Sequence, residues 1–210
     1  MENVRFEIGH MGEITSDMLT TLWMAFQTRD RAMVDEVIKM DDKVDVLSEM
    51  ILEFMSKIQQ EKLSDENSHI LQNMMSATIN IESLADVIES ELSSLCKKYI
   101  DNELEESDET LELIIDFTMT VSGAFDKLVL AVKNDDEQLA AEVILLKEKV
   151  QHSVDAILKN QAGRISLQTD KQLLLVRLEL ELVDHLRRIY TLTKRIAKEF
   201  IPDELAVKNG

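Results

Sequence analysis

Glu36–Val44 reads EVIKMDDKV, and Glu142–Val150 reads EVILLKEKV. Five of the nine positions are identical and Asp42 is answered by Glu148. The step from Glu36 to Glu142 is an offset of 106, and the same offset sets Leu22 on Leu128, Ala25 on Ala131, Asp30 on Asp136 and Met33 on Leu139. Apolar periodicity alone can produce echoes between amphipathic helices. An echo that runs through a helix, a turn and a second helix points instead to an internal duplication of about a hundred residues.

The rest of the chain reads as helix. Of 210 residues, 45% are apolar, yet there are only five glycines and one proline, Pro202. So few chain breakers leave little material for tight hairpins, and the scarcity of aromatics, at 4%, argues against a sandwich core. Apolar residues at helical spacing predict helices over Gly9–Gln27, Arg31–Gln60, Glu66–Tyr99, Thr110–Val132, Gln138–Lys159 and Lys171–Phe200. Asp30 is placed to cap the second helix. There Val34, Val37, Ile38, Val44, Leu47, Ile51, Phe54 and Ile58 form the predicted buried stripe. The acidic stretch DNELEESDE, from Asp101, reads as the junction, and NQAGRISLQTD, from Asn160, as a loop. The expected architecture is all-α: two tandem, pseudo-repeated antiparallel three-helix bundles. They occupy residues 1–100 and 101–200, followed by a disordered tail, 201–210.

Charge narrows the partners. The net charge of −18 opposes nucleic acid and anionic lipid, whose phosphates need Lys and Arg to displace counterions. Cations, or a protein with a basic surface, suit it better, and the cytoplasmic loops of membrane proteins carry such surfaces. A single cysteine, Cys96, allows no internal disulfide and spells no thiolate site, which fits a reducing cytoplasm. No basic segment followed by an apolar run stands at the N-terminus, so no signal peptide is expected, and the most apolar run, QLLLVRLELELV, is broken by Arg177, Glu179 and Glu181, so direct membrane insertion is not expected. A homodimer is compatible with the sequence. Ten of the eleven methionines lie at or before Met75, so the first bundle has the more adaptable core.

EVIKMDDKVDVLSEMI, Glu36–Ile51, resembles the second helix of a PhoU repeat, with its V-I-x-x-D-D-x-(I/V)-D pattern. IESLADVIES, Ile81–Ser90, is similar to that family's L-E-R-I-G-D-H-A-x-N segment on the third helix, and MGEITSDMLTTLWMAF, Met11–Phe26, suits its first. DHLRRIYTLTKRIAKE, Asp184–Glu199, resembles the third-helix segment again. The resemblance implies a non-enzymatic regulatory domain acting in phosphate transport or homeostasis through cytosolic contacts with a membrane transporter. The segment from Gly163 to Tyr190 looks closest to the cytosolic C-terminal domain of sodium–phosphate cotransporters, which implies that domain or a solitary relative. The alternatives are a free-standing PhoU-type phosphate-signalling regulator, acting in the cytoplasm or at the cytoplasmic face of the membrane, and a metal-binding carboxylate bundle with a redox or storage role.

Some members of the family hold metal through carboxylates four residues apart. Here Asp41 and Asp45 have that spacing, as do Glu82 and Asp86, so each pair shares a helix face and two facing helices could supply four oxygen ligands. Iron, zinc or another divalent cation is the candidate cofactor, and a solvated acidic face is the competing reading. The second half lacks the set. Asp41 and Asp45 become Lys147 and Gln151 under the 106 offset, and the family segments align Glu82 with Arg187 and Asp86 with Thr191. Charged lysine and arginine nitrogens have no lone pair to give. Any metal is therefore expected only in the N-terminal half. The Glu-x-x-His pairs Glu7/His10 and Glu66/His69, which di-iron bundles use mid-helix, lie here near helix starts and read as surface pairs. No nucleophile constellation or phosphate-cradling glycine loop is present, so an enzyme is not expected.

Overall fold

The computed structural model describes residues 2–105, 107–164 and 169–201. Six helical rods follow one another, and among the described residues there is no strand. We label them α1 (Glu2–Thr28), α2 (Arg31–Gln59), α3 (Asp65–Asp86, continued by a π-helical turn Val87–Leu92 and by Ser93–Asp101), α4 (Asp108–Asn134), α5 (Glu137–Leu145 and, past a break at Leu146, Lys147–Arg164) and α6 (Asp170–Glu199). Rods α1–α3 form repeat 1 and α4–α6 form repeat 2.

The duplication is written into the backbone of the first turn of each repeat. Arg29 and Asp135 both adopt the left-handed conformation, with φ of 57° and 55°. Asp30 and Asp136 follow with extended backbones, and each carboxylate accepts an N–H two residues on, Ala32 and Gln138, both at 2.9 Å. Their own N–H groups return to Ala25 and Ala131, again 106 apart. The third helices begin at Ser64 and Thr169, which serve as N-caps, an offset of 105 and the one that the segment alignment requires.

Several rods differ from their sequence-based bounds. Helix α1 starts earlier because Val4 and Ile8 extend the buried seam that continues through Met11, Thr15, Met18, Leu22 and Ala25. The acidic junction is not wholly polar: Leu104 is buried, and Arg29 Nη2 donates to its carbonyl at 2.6 Å. Helix α5 runs on to Arg164, so the expected loop from Asn160 is shorter. Residues 165–168 and the expected tail from Pro202 lie outside the described residues, and Ile201, placed in that tail, is buried.

The two repeats meet through their first and third helices, each pair running antiparallel. On α1 and α4, Arg5 pairs with Asp135 at 2.7 Å, Glu13 with Lys133 and Ser16 with Asp126. Gly12 lets these rods close, since a Cβ there would lie 2.8 Å from Val129 Cγ2. On α3 and α6, Ser76 donates to Glu199 at 2.6 Å, Arg195 reaches Asn80 at 3.4 Å and His185 lies 4.0 Å from Glu91. The pairs run from early positions of one helix to late positions of its counterpart in the other repeat, which is a pseudo-twofold arrangement. The second helices, α2 and α5, are left on opposite flanks.

Candidate functional site

The buried residues of α2 are Val34, Val37, Asp41, Val44, Ser48, Ile51 and Met55. Their spacing alternates three and four without a miss, the seam by which one helix packs on others. Asp41 therefore occupies a core position and is only 8% exposed. This corrects the expected stripe, which admitted Phe54 (52% exposed) and passed over Asp41 and Met55. The signal was present in the sequence: the heptad rhythm from Val34 to Met55 passes through an aspartate.

A carboxylate at such a point is costly unless it finds partners. Asp41 Oδ1 is inaccessible to solvent and accepts no hydrogen bond. Burial pushes the Asp41 carboxyl up to about 7, and repulsion from Asp45, Asp86, Glu89 and Asp42 adds to the effect. Across the interhelical groove, α3 contributes Asp86, the last α-helical residue before the π turn. Asp41, Asp45 and Asp86 can each bring one carboxylate oxygen within 4.8 Å of the others. Two oxygens bound to one cation cannot lie further apart than about twice the metal–oxygen distance, roughly 4–5 Å for Mg²⁺ or Ca²⁺. The 4.8 Å bound on the triad meets that limit for an ion of Ca²⁺ size, and a smaller ion needs the three carboxylates to draw closer.

Glu82, the fourth expected ligand, falls outside the triad. It lines a shallow depression with Asp45, Ser48 and Glu49, and burial followed by the charges of Asp86 and Asp45 raises its carboxyl. The π turn was not legible in IESLADVIES. Its wider coil places Glu89 close enough to add to the repulsion at Asp41, and Ser93 Oγ satisfies the Ile88 carbonyl at 3.0 Å.

The histidine pairs do not form metal sites among the described residues. His10 lies 3.7 Å from Glu13 rather than pairing with Glu7, and His69 contacts Asn73 at 3.5 Å. His69 and Glu66 line a cleft of about 510 Å³ between the repeats with Arg5, Asp135 and Glu199.

In repeat 2 the counterpart positions carry Lys147, Gln151, Arg187 and Thr191 in place of the four carboxylates. Lys147 is exposed and opens the second segment of α5, immediately after the break at Leu146. Tyr190 Oη donates to the carbonyls of Val143 at 3.1 Å and Ile144 at 3.4 Å, the two acceptors that a continuous helix would offer to Lys147 and Glu148.

The family model described as the PhoU domain matches residues 8–93, the span that contains α1, α2, the triad and the π turn. Residues 8–93 are a PhoU domain. Repeat 2 shares the PhoU fold through the structural likeness of the whole chain. PhoU from Pseudomonas aeruginosa superposes with a TM-score of 0.86 at 16% identity, covering 100% of this chain and 97% of that one. The phosphate transport system regulatory protein PhoU from Streptococcus pneumoniae gives 0.81 at 15% identity, covering 94% and 91%. A search of curated proteins finds no match. Among the described residues no helix is long and apolar enough to cross a membrane.

Proposed function

We propose that this chain is a PhoU-type regulator of phosphate homeostasis that acts in the cytoplasm, without catalysis, by contact with components of phosphate transport. Three features support this: the PhoU domain at residues 8–93, a fold shared with PhoU proteins over nearly their full length, and a net charge of −18 suited to a basic partner surface. The comparisons favour the PhoU-type regulator over the cotransporter domain, for which only the second-half segment speaks.

The observation that gives the proposal its chemistry is Asp41, a core aspartate with an orphaned oxygen beside Asp45 and Asp86. A divalent cation held by these three, with Glu82 adjoining, supplies the missing partner and cancels the repulsion. An all-carboxylate donor set suits hard ions such as Mg²⁺ or Mn²⁺ better than soft ones. Bound between α2 and α3, the ion ties together the two helices that frame this flank, so occupancy sets the rigidity of the surface offered to a partner.

Titration of chelator-treated protein with Mn²⁺, followed calorimetrically, tests the reading. One site per chain is expected, lost in Asp41→Asn and retained in Lys147→Gln. Absence of binding, or binding indifferent to Asp41→Asn, sinks the metal role. Phosphate uptake that is unchanged when the gene is deleted sinks the regulatory one.

A further inference from the structure

Repeat 1 presents an apolar stripe that its duplicate lacks. On α2, Val46, Met50 and Phe54 recur every fourth residue, so they share one face, and each is more than half exposed. The buried seam of the same helix lies elsewhere, through Val44, Ser48, Ile51 and Met55. The offset of 106 carries that seam onto Val150, Val154, Ile157 and Gln161, all buried in α5, so the register holds past the break at Leu146. The same offset puts His152, Ala156 and Asn160 where repeat 1 has Val46, Met50 and Phe54. The packing of a three-helix repeat therefore does not call for an apolar stripe on this face.

The stripe borders a groove of about 420 Å³ between the start of α1 and the second half of α2. Val4, Leu47, Met50, Ile51 and Phe54 line it. In repeat 2 the positions of Val4 and Phe54 are held by Thr110 and Asn160, and Thr110 Oγ1 donates to Asn160 Oδ1 at 2.9 Å. One repeat joins its first two helices there by a hydrogen bond, and the other leaves an apolar trough. Single exposed apolar residues are ordinary on a surface, whereas apolar residues contiguous along a groove mark an interaction site. The charged groups on the rim are Glu7, Glu53 and Lys57. Lys57 Nζ lies 2.7 Å from Glu53 Oε1, which leaves the Glu7 carboxylate without a matching charge on the rim. The exposed Glu49 stands beside Met50 and adds to the negative sign.

Size and charge choose the occupant. From Val46 to Phe54 the stripe is about 12 Å long, roughly two turns of helix. A stable dimer buries about 800 Å² on each partner, more than so short a stripe offers. A second copy would also set Glu7, Glu49 and Glu53 against their own kind, and anionic lipid meets the same repulsion. We propose that the groove takes one amphipathic helix of a partner protein, with apolar residues at i, i+4 and i+7 facing the groove and lysine or arginine on its flanks. The apolar residues bury against Met50 and Phe54, and the basic flanks meet Glu7, Glu49 and Glu53. Docking of this kind rests on the reading of the chain as a regulator that acts by contact, and gives that contact a place and a chemistry.

The test uses the full chain and a fluorescently labelled synthetic helix of about five turns, with leucines at i, i+4 and i+7 and lysines flanking them, followed by anisotropy. Saturable binding is expected, with amide NMR shifts confined to Asn3–Glu7 and Leu47–Lys57. Met50→Ala with Phe54→Asn gives repeat 1 the residues that repeat 2 carries, and should weaken binding at least about tenfold. Leu158→Asn, at an exposed leucine of repeat 2, should leave it unchanged. The same peptide with glutamates for lysines should bind at least about tenfold more weakly. Failure of the lysine peptide to bind, shifts centred elsewhere, or binding that survives the double variant with an unchanged melting transition overturns the proposal. So does self-association in sedimentation, or flotation with phosphatidylglycerol vesicles, that the double variant abolishes, because a second copy or a membrane then fills the groove. Phosphate uptake altered by deletion of the gene but not by the double variant sinks the groove and spares the regulator. Uptake unaltered by deletion, beside intact peptide binding, sinks the regulator and spares the groove as a helix-binding site.

Discussion

Asp41 and Lys147 stand at the same point of two duplicated helices, yet Asp41 lies in a packed seam and Lys147 faces solvent at a helix break. The contrast explains why one repeat stays continuous through this point and the other does not. An aspartate can remain in the seam if a cation or a proton neutralises it. A lysine at that point would have to shed its proton or find an anion, and Lys147 instead stands exposed beside the break. The relationship gives the first prediction its sign. The Asp41 carboxyl is raised from its ordinary value to about 7, so the folded state holds that proton more tightly than the unfolded chain does. Stability from this group is fully present below about pH 4 and is lost as pH rises through about 7. Chelator-treated wild type should therefore lose on the order of 2–4 kcal/mol between pH 5 and pH 8 relative to Asp41→Asn. Urea unfolding at the two pH values measures it, and saturating Mn²⁺ should restore the wild type alone.

The caps offer a paired test of the duplication. Asp30 and Asp136 hold equivalent carboxylate bonds to the first N–H groups of α2 and α5. Asp30→Ala and Asp136→Ala should each cost about 1 kcal/mol, and the two should add, since they serve different repeats. Chemical denaturation of the single and double variants checks both statements.

Much of this was open to the sequence. The 106 offset was visible in EVIKMDDKV and EVILLKEKV, and Asp30 was readable as a cap because a short acidic side chain precedes an apolar rhythm. The pairing of Asp41 with Asp45 followed from their spacing. Their approach to Asp86, without Glu82 in the triad, did not follow, because it depends on how far α2 and α3 are rotated in their seam. The π turn escaped for the same reason. VIESEL has no residue that an α-helix would refuse, and the buried Leu84, Ile88, Leu92 and Leu95 keep the spacing of a regular helix, so nothing in the sequence announces the wider coil. The break at Leu146 was equally silent, since EVILLKEKV is as helical by propensity as its partner.

Two glycines should respond in opposite senses. A side chain at Gly12 would run into Val129 across the α1–α4 contact, whereas nothing lies within 4 Å of a Cβ at Gly123. Gly12→Leu should destabilise by about 1–3 kcal/mol through overpacking. Gly123→Ala should stabilise by up to about 1 kcal/mol, because an interior helical glycine costs that much conformational entropy. Melting temperatures moving the same way would contradict the close approach of the repeats.

Tyr190 carries the last prediction. Its hydroxyl occupies the place that a continuous α5 would give to the N–H groups of Lys147 and Glu148, and burial pushes it up to about 12. Tyr190→Phe keeps the ring beneath Lys194 but leaves the Val143 and Ile144 carbonyls only the Leu146 N–H as donor, at a cost of about 1 kcal/mol. The loss should be local. Amide exchange should rise around Leu145–Lys149 first, because the break can then only be relieved by water or by re-forming the helix. Re-forming it would drive Lys147 toward the seam that Asp41 occupies in repeat 1. If the phenylalanine variant instead unfolds without that local exchange signature, the hydroxyl is not what holds the break open. The different courses of α2 and α5 would then rest on the Lys147 side chain alone.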